Sequence, residues 1–318
     1  MRAWGYLLWM GTVMLLAVKT MAAISAALEK DQGAKFRGLL KGLMPTAADA
    51  YSTKEQKFRA HLGSSLIGRE CSRELWYSFR WSTAKDFDGR MLRLFNRGHL
   101  EEPRMVALLQ MIGCTVWQVD ENGKQFRVSG YKGHSGGSLD GVAIGIPDLP
   151  EGTACLTEFK THGEKSFFKL LEKGVISAKW EHYIQMTDYM GKNGLGYALY
   201  MAVNKNTDEL YAEIVTFDPM VYQRYLDRAK MIIDSTSVPP KLNNASLGWY
   251  GCKFCDHSNL CHNPNSRPVK TCRSCEHSSV ETGGRWICLL TKEGETLSEE
   301  KQLVGCPNYS FDARAYQK

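Results

Sequence analysis

No G-x-x-x-x-G-K-[ST] occurs anywhere in the 318 residues, so the chain lacks the phosphate-cradling loop of an ATP-driven motor. Internal repeats and low-complexity blocks are missing as well, which excludes a solenoid and a disordered polar tract. A large excess of one charge sign is also absent: 40 Lys+Arg against 34 Asp+Glu leave a formal net charge of +6. That balance permits a polyanionic partner and does not demand one. Long apolar runs are scarce. The candidate, WGYLLWMGTVMLLAV at positions 4–18 between Arg2 and Lys19, falls short of the roughly 20 residues that span a bilayer. It reads as a signal or anchor segment, as a buried helix, or as an extension upstream of an initiator at Met21. The rest of the chain fits a cytoplasmic setting, which ranks the membrane reading below the other two together.

Cysteine is plentiful. There are ten, seven of them after position 250. Cys252, Cys255 and Cys261 form C-x2-C-x5-C, Cys272 and Cys275 form a second C-x2-C, and Cys288 and Cys306 follow singly. Pairs of this kind read as metal ligands rather than as a secreted disulfide framework, and thiolate sites suit a reducing compartment. Cys272, Cys275, Cys288 and Cys306 offer four thiolates to a tetrahedral zinc, with His277 as a substitute for one of them. A tail this short, with few large apolar residues, would need such a staple to fold alone. Cys114 and Cys155 read as small buried hydrophobes.

Apolar spacing organises the remainder. Positions 21–84 look mostly helical, and GRMLRLFNRGHLEEPRMVALLQMI, 89–112, carries helical periodicity with Pro103 as a bend or first-turn residue. TVWQVDE and QFRVSG read as a hairpin about Asn122-Gly123. GGSLDGVAIGI and ACLTEFKT are two further strands, SAKWEHYIQMTDYMGK is a helix, and GYALYMAVN and DELYAEIV pair across Asn206 and Thr207. A helix over 219–234 closes the core. The expectation is a mixed α/β sheet with helices on its faces and a small cysteine-rich, metal-binding appendage. The divisions are 1–20, an apolar segment; 21–88, a helical region with Cys71; 89–238, the core; 239–264, the first cysteine set; and 265–318, the four-cysteine tail.

Asp140 and Glu158 stand either side of a loop, with Lys160 two residues after the second. Side chains alternate along a strand, so Glu158 and Lys160 share one face while Cys155, Thr157, Phe159 and Thr161 take the other. With Asp140 on the neighbouring strand, such a pair binds a hard divalent cation, Mg²⁺ or Mn²⁺, through oxygen. The metal would polarise a phosphodiester and acidify water, and the lysine would orient that water. A structural salt bridge is the plainer reading of D-x(n)-E-x-K alone. RGHLEEP adds His99, Glu101 and Glu102 as sources of a third ligand, and HYIQMTDYM puts Gln185 and Tyr189 at i and i+4 on one helix face.

G-x-x-x-E (Gly98 to Glu102), G-S-L-D (Gly137 to Asp140), E-F-K (Glu158 to Lys160) and Q-x-x-x-Y (Gln185 to Tyr189) occur in the order of the PD-(D/E)XK nucleases. The chain resembles the branch holding RecB, the RecB-like CRISPR-associated nucleases and the phage exonucleases, over roughly 64–262. The resemblance implies a restriction-endonuclease-like fold, metal held by Glu102, Asp140 and Glu158, and Lys160 as the catalytic lysine. It implies that Gln185 and Tyr189 position DNA. Relatives often carry a histidine near the place of Glu102, which leaves His99 as a second-choice ligand. The resemblance also implies a 4Fe-4S staple from Cys71, Cys252, Cys255 and Cys261; a zinc site on the same residues, with His257 or His262, is the alternative.

Arg69, Arg73, Arg80, Arg90, Arg93 and Arg97 lie near these motifs in sequence, and Arg69 and Arg73 are the candidates for phosphate contact. THGEKSFFKLLEKG reads as a lid, with Lys165 and Lys169 near phosphate. The function expected is a Mg²⁺-dependent deoxyribonuclease, foremost an exonuclease of phage or prophage recombination acting on double-stranded ends or single strands. A single-strand annealing protein or a separate helicase would be its partner. The rivals are a CRISPR-type or structure-specific endonuclease and a metal-stapled DNA-binding protein without cleavage.

Overall fold

A computed structural model describes residues 14–46, 58–291 and 294–313. Most of the apolar run at 4–18 lies outside them. Helices α1 (Val18–Asp31) and α2 (Ala34–Leu43) open the chain, and Met21 falls within α1. Among the described residues, positions 58–71 form turns around the short strand β1 (Leu62–Gly63) rather than the helix expected, and helices follow at α3 (Ser72–Phe79) and α4 (Gly89–Met111). Asp88 caps α4 by accepting from Met91 N at 2.7 Å.

The strands β2 (Thr115–Trp117), β3 (Arg127–Ser129), β4 (Ser135–Ser138), β5 (Gly141–Ile144) and β6 (Cys155–His162) follow. The chain does reverse at Asn122-Gly123, with Asp120 N donating to Lys124 O at 2.8 Å. Yet β2 and β3 are not the hairpin expected: beyond one bridge, Val119 with Gln125, they diverge into different sheets. GGSLDGVAIGI is likewise two strands rather than one. β4 joins β1 and β3, β5 joins β2 and β6, and Asp140 sits in the bend between them.

Helices α5 (Glu164–Ala178) and α6 (Trp180–Asn193) cross from β6 to β7 (Tyr197–Asn204), which pairs with β8 (Leu210–Thr216) before α7 (Pro219–Asp234). The central sheet runs β2-β5-β6-β7-β8, with β6 and β7 parallel and the other pairs antiparallel. This is the mixed α/β architecture expected, and α5 is part of the crossover, with Phe167 and Leu170 buried, rather than a separate lid.

Both faces of the sheet are covered, so its strands read as near-continuous apolar runs. On β7, Leu199, Met201 and Val203 join one apolar cluster with Met105, Val106 and Leu109 of α4 and Ile24 of α1. Ala198, Tyr200 and Ala202 join the other, with Ile184, Met186 and Met190 of α6. Cys155 and Phe159 of β6 face α4, whereas Leu156 faces α6.

The tail contains α8 (Tyr250–Lys253), α9 (Ser258–His262), α10 (Glu299–Leu303) and an antiparallel sheet of β9 (Ser278–Val280), β10 (Trp286–Cys288) and β11 (Glu295–Leu297). It does not stand alone: Trp286 and Leu297 belong to the same apolar cluster as Trp76 and Phe79 of α3. Arg80 lies 5.4 Å from the Trp76 ring and 5.2 Å from that of Trp286, and Arg273 lies 3.8 Å from the Trp81 ring. These guanidiniums tie the tail to α3 by cation–π contact and hydrogen bonds. Arg80 is therefore an internal clamp and not a phosphate contact. Among the described residues no helix is long and apolar enough to cross a membrane.

Candidate active site

The site begins where β5 stops. β5 pairs with β6 only as far as Gly141 opposite Thr157, so β6 continues past it without a strand on that side. The Phe159 N–H, which would otherwise lose its partner, donates to Asp140 Oδ2 at 2.8 Å. A carboxylate thus closes the ladder where the strand ends, and this places Asp140 beside Glu158 and Lys160.

Glu158 is fully buried at 0% exposure, on the face expected, and Lys160 Nζ donates to its Oε1. The same ammonium lies 4.0 Å from Asp140 Oδ2. Glu102 of α4 is near enough to feel Asp140, Lys160 and Glu158 electrostatically. Burial first, and then Asp140, push its carboxyl up to about 8. Burial and Asp140 also raise Glu158, against the pull of Lys160. Lys160 is held above the usual lysine range: burial works against its charge, but Glu158 and Asp140 outweigh it. Three carboxyl groups therefore face one ammonium in a poorly solvated place. An open cleft of ≈ 470 Å³ borders it, lined by Gly98, His99, Glu102, Phe159, Lys160 and Lys205 among others.

The donor set fits a hard divalent cation, since it is all carboxylate oxygen. Glu158 Oε2 supports this, being buried with no hydrogen-bond partner among the described residues. An unsatisfied buried acceptor costs about 1–3 kcal/mol, which a ligand there would relieve. As the side chains stand, no three His, Cys, Asp or Glu groups among the described residues are arranged to hold an ion. Lys160 bridges Glu158 and approaches Asp140 instead. Glu101 pairs with Arg104 at 2.6 Å and His99 stays on the cleft wall.

Gln185 and Tyr189 come to the same place from α6, 8% and 2% exposed. Burial, then Glu158 and Asp140, raise the Tyr189 hydroxyl well above the ordinary tyrosine range. Gly137 explains part of the G-S-L-D pattern. A Cβ there would lie 2.3 Å from the Tyr189 hydroxyl, so only glycine lets β4 pass that close.

Arg69 and Arg73 do not reach this centre by any contact seen. Arg69 pairs with Glu74 and lies 3.9 Å from Glu181. Arg73 is a correction: it is 1% exposed, donating to Pro239 O at 2.8 Å and lying 3.9 Å from Cys261 Sγ. Its charge is spent inside the protein, where no phosphate can follow. Basic groups that the motifs did not mark stand closer. Arg59 is within electrostatic reach of Tyr189, and His61 is pushed down to about 4 by burial and then by Arg59, Lys192 and Arg127. They come from separate elements, so no local spacing signals them.

All ten cysteines are free thiols. Cys71, Cys252, Cys255 and Cys261 line one cavity with His257 and His262. Cys272 is raised by burial and then by Cys306, Cys275 and Cys288, which are within its electrostatic reach. Cys114 and Cys155 are buried in the core.

No family model matches the chain, and no curated protein matches it. Among solved structures, an alkaline exonuclease (LHK-Exo) from Laribacter hongkongensis is 16% identical over 54% of this chain and 86% of its own, with a TM-score of 0.40. The same enzyme in complex with dAMP gives 14%, 56%, 90% and 0.39. SSO0001 is 15% identical over 77% of this chain and 96% of its own, at 0.36. Likenesses this weak decide no activity; the chain's own residues must carry that.

Gly137→Ala is expected to displace the Tyr189 hydroxyl and to lower turnover of any substrate held there by about tenfold or more, with far less effect on the denaturation midpoint. The raised carboxyls set a pH dependence of stability. Between the ordinary glutamate value of 4.5 and about 8, the folded state keeps a proton on Glu102 that the unfolded chain has released. Stability therefore falls as pH rises through that window. The raised lysine loses its contribution only above 10.5, outside it. From pH 7 to pH 8, above the histidine range, metal-free protein should lose melting temperature, Glu102→Gln should flatten that slope, and Mg²⁺ should restore more at pH 8 than at pH 6.

Proposed function

We propose that the chain is a metal-dependent deoxyribonuclease of the RecB-like PD-(D/E)XK kind, and foremost an exonuclease. The observation that carries this is the convergence of Glu102, Asp140, Glu158 and Lys160 on the gap left where β5 ends. Motif order alone allowed a surface salt bridge. A carboxylate buried at 0% exposure, with one oxygen unsatisfied, is costly for a structural pair, and such a cost is ordinary at a site that awaits a cation.

When bound by Glu102, Asp140 and Glu158, a divalent cation supplies positive charge to the phosphoryl oxygens and acidifies water. The remaining work falls to the chain. Lys160 keeps its proton, and its N–H groups would orient the attacking water or offset charge developing on the phosphoryl oxygens. Asp140 stays anchored through Phe159 N–H, so its free oxygen is aimed without a loss of rotamer freedom. Gln185 and Tyr189 hold a phosphate flank, with the Tyr189 hydroxyl protonated as a donor. Arg59 and Arg127 offer the neighbouring backbone a positive surface.

The two cysteine sets are structural metal sites in this reading: 4Fe-4S at Cys71, Cys252, Cys255 and Cys261, and zinc at Cys272, Cys275, Cys288 and Cys306. The donor chemistry supports it: Cys71, Cys252, Cys255 and Cys261 line one cavity, and Cys272 is within electrostatic reach of Cys275, Cys288 and Cys306.

Purified protein with Mg²⁺ or Mn²⁺ should degrade end-labelled linear DNA, and Glu158→Gln and Asp140→Asn should each lower the rate by roughly 10²-fold or more. These substitutions remove charge without leaving a buried anion unpaired, as Lys160→Ala would. Wild type that cuts no faster than both variants sinks the catalytic reading, and cutting of covalently closed circles replaces the exonuclease with an endonuclease. Elemental analysis of anaerobically purified protein should find about four irons and one zinc per chain. Zinc without iron overturns the cluster.

A further inference from the structure

Beside the carboxylates lies a set of polar groups for which no motif accounts. His162 follows Lys160 by two residues on the same face of β6, and Tyr200 is the residue of β7 in register with Glu158. His182 lies on α6 at i−3 from Gln185 and i−7 from Tyr189, so it shares their helix face. Four hydrogen bonds join these groups. Lys179 Nζ donates to Ser166 Oγ, and Ser166 Oγ meets His162 Nδ1 at 3.2 Å. His162 Nε2 meets Tyr200 Oη at 2.8 Å, and Tyr200 Oη meets His182 Nδ1 at 2.9 Å.

One proton order is favoured here, because a hydroxyl that accepts from an ammonium becomes a stronger donor and a poorer acceptor. An ammonium has donors and no acceptor, so Ser166 accepts from Lys179. Polarised in this way, the Ser166 hydroxyl gives its proton to His162 Nδ1, the ring nitrogen it meets. His162 then carries its own proton on Nε2 and gives it to Tyr200. The tyrosine passes its single proton to His182 Nδ1. His182 is left as the Nε2–H tautomer, its donor at the far end of the chain. The ring is half buried, and Nε2 has no partner among the described residues.

We propose that His182 is a substrate-contacting residue, fixed as the Nε2–H tautomer by the chain Lys179–Ser166–His162–Tyr200, and that its N–H donates to a phosphodiester oxygen of nucleic acid held beside Glu158 and Lys160. This rests on the nuclease reading above for the identity of the ligand, though not for the tautomer. The site gains a neutral donor there. A second ammonium would compete with the metal for Glu158, whereas an imidazole N–H reaches a phosphate oxygen and leaves the carboxylates alone. Burial and then Lys160 push His182 down to about 3, and burial and then Lys179 push His162 down to about 4, so both rings are neutral near pH 7. Burial keeps the Tyr200 proton in place.

The test is ¹⁵N NMR on the full chain labelled at histidine, with His182 assigned by loss of its signals in His182→Gln. The wild type should show the Nε2–H tautomer, and thymidine 5′-monophosphate should shift the His182 Nε2 resonance. Lys179→Met and Tyr200→Phe, neither of them a proposed phosphate contact, should mix the His182 tautomers while leaving His134 and His257 unshifted. In assays on linear DNA, His182→Ala should raise KM roughly tenfold, the worth of one hydrogen bond to a charged group, and His182→Gln should recover part of it. An Nδ1–H tautomer in wild type overturns the chain. A nucleotide that binds elsewhere without moving His182 overturns the contact. DNA that is neither bound nor cut by a protein with the expected tautomer overturns the nuclease reading and the phosphate contact with it, and confirms the chain.

Discussion

One hydrogen bond organises the candidate site: Phe159 N–H to Asp140 Oδ2 at 2.8 Å. A strand that ends early leaves a backbone donor on its neighbour, and a buried donor without a partner is costly. Asp140 supplies the partner from the bend between two sheets. The same bond orients a carboxylate towards Glu158 and Lys160 and keeps the gap open for Glu102.

The charges at that gap are poorly compensated by design of the fold. Lys160 faces three carboxyl groups, and Glu158 is buried with one oxygen unpaired. Burial of this kind is destabilising when the chain is alone, so the sheet and the two helices around it must hold the cluster in place. They do so with apolar clusters on both faces, one under α4 and one under α6. Elsewhere the arginines serve that rigidity. Arg73, Arg80 and Arg273 are buried, and they tie α3 to the linker and tail through carbonyl oxygens and indole rings.

Much of this was legible beforehand where the signal is local. The helix at α4, the run of β6 and the β7–β8 hairpin follow from periodicity, because neighbours along the chain set it. Asp140 was legible as a site residue but not as a bend residue, since GGSLDGVAIGI alternates as one strand would. The hairpin about Asn122-Gly123 has its turn and lacks its pairing, because each arm found a longer partner elsewhere. Arg73 looked like a phosphate contact because basic and aromatic residues adjoin it, and burial is not written in that spacing.

The sequence by itself determined the donor chemistry: which carboxylates, which lysine, and the thiols gathered in two sets, since identity and spacing along a strand or helix are local properties. Tertiary structure alone decided what these groups can do together. It ended β5 at Gly141, brought Glu102 from α4 and Tyr189 from α6, and strung His182 to Lys179 through β6 and β7. Those relations join elements far apart in the chain, and only packing against a shared sheet sets their distance.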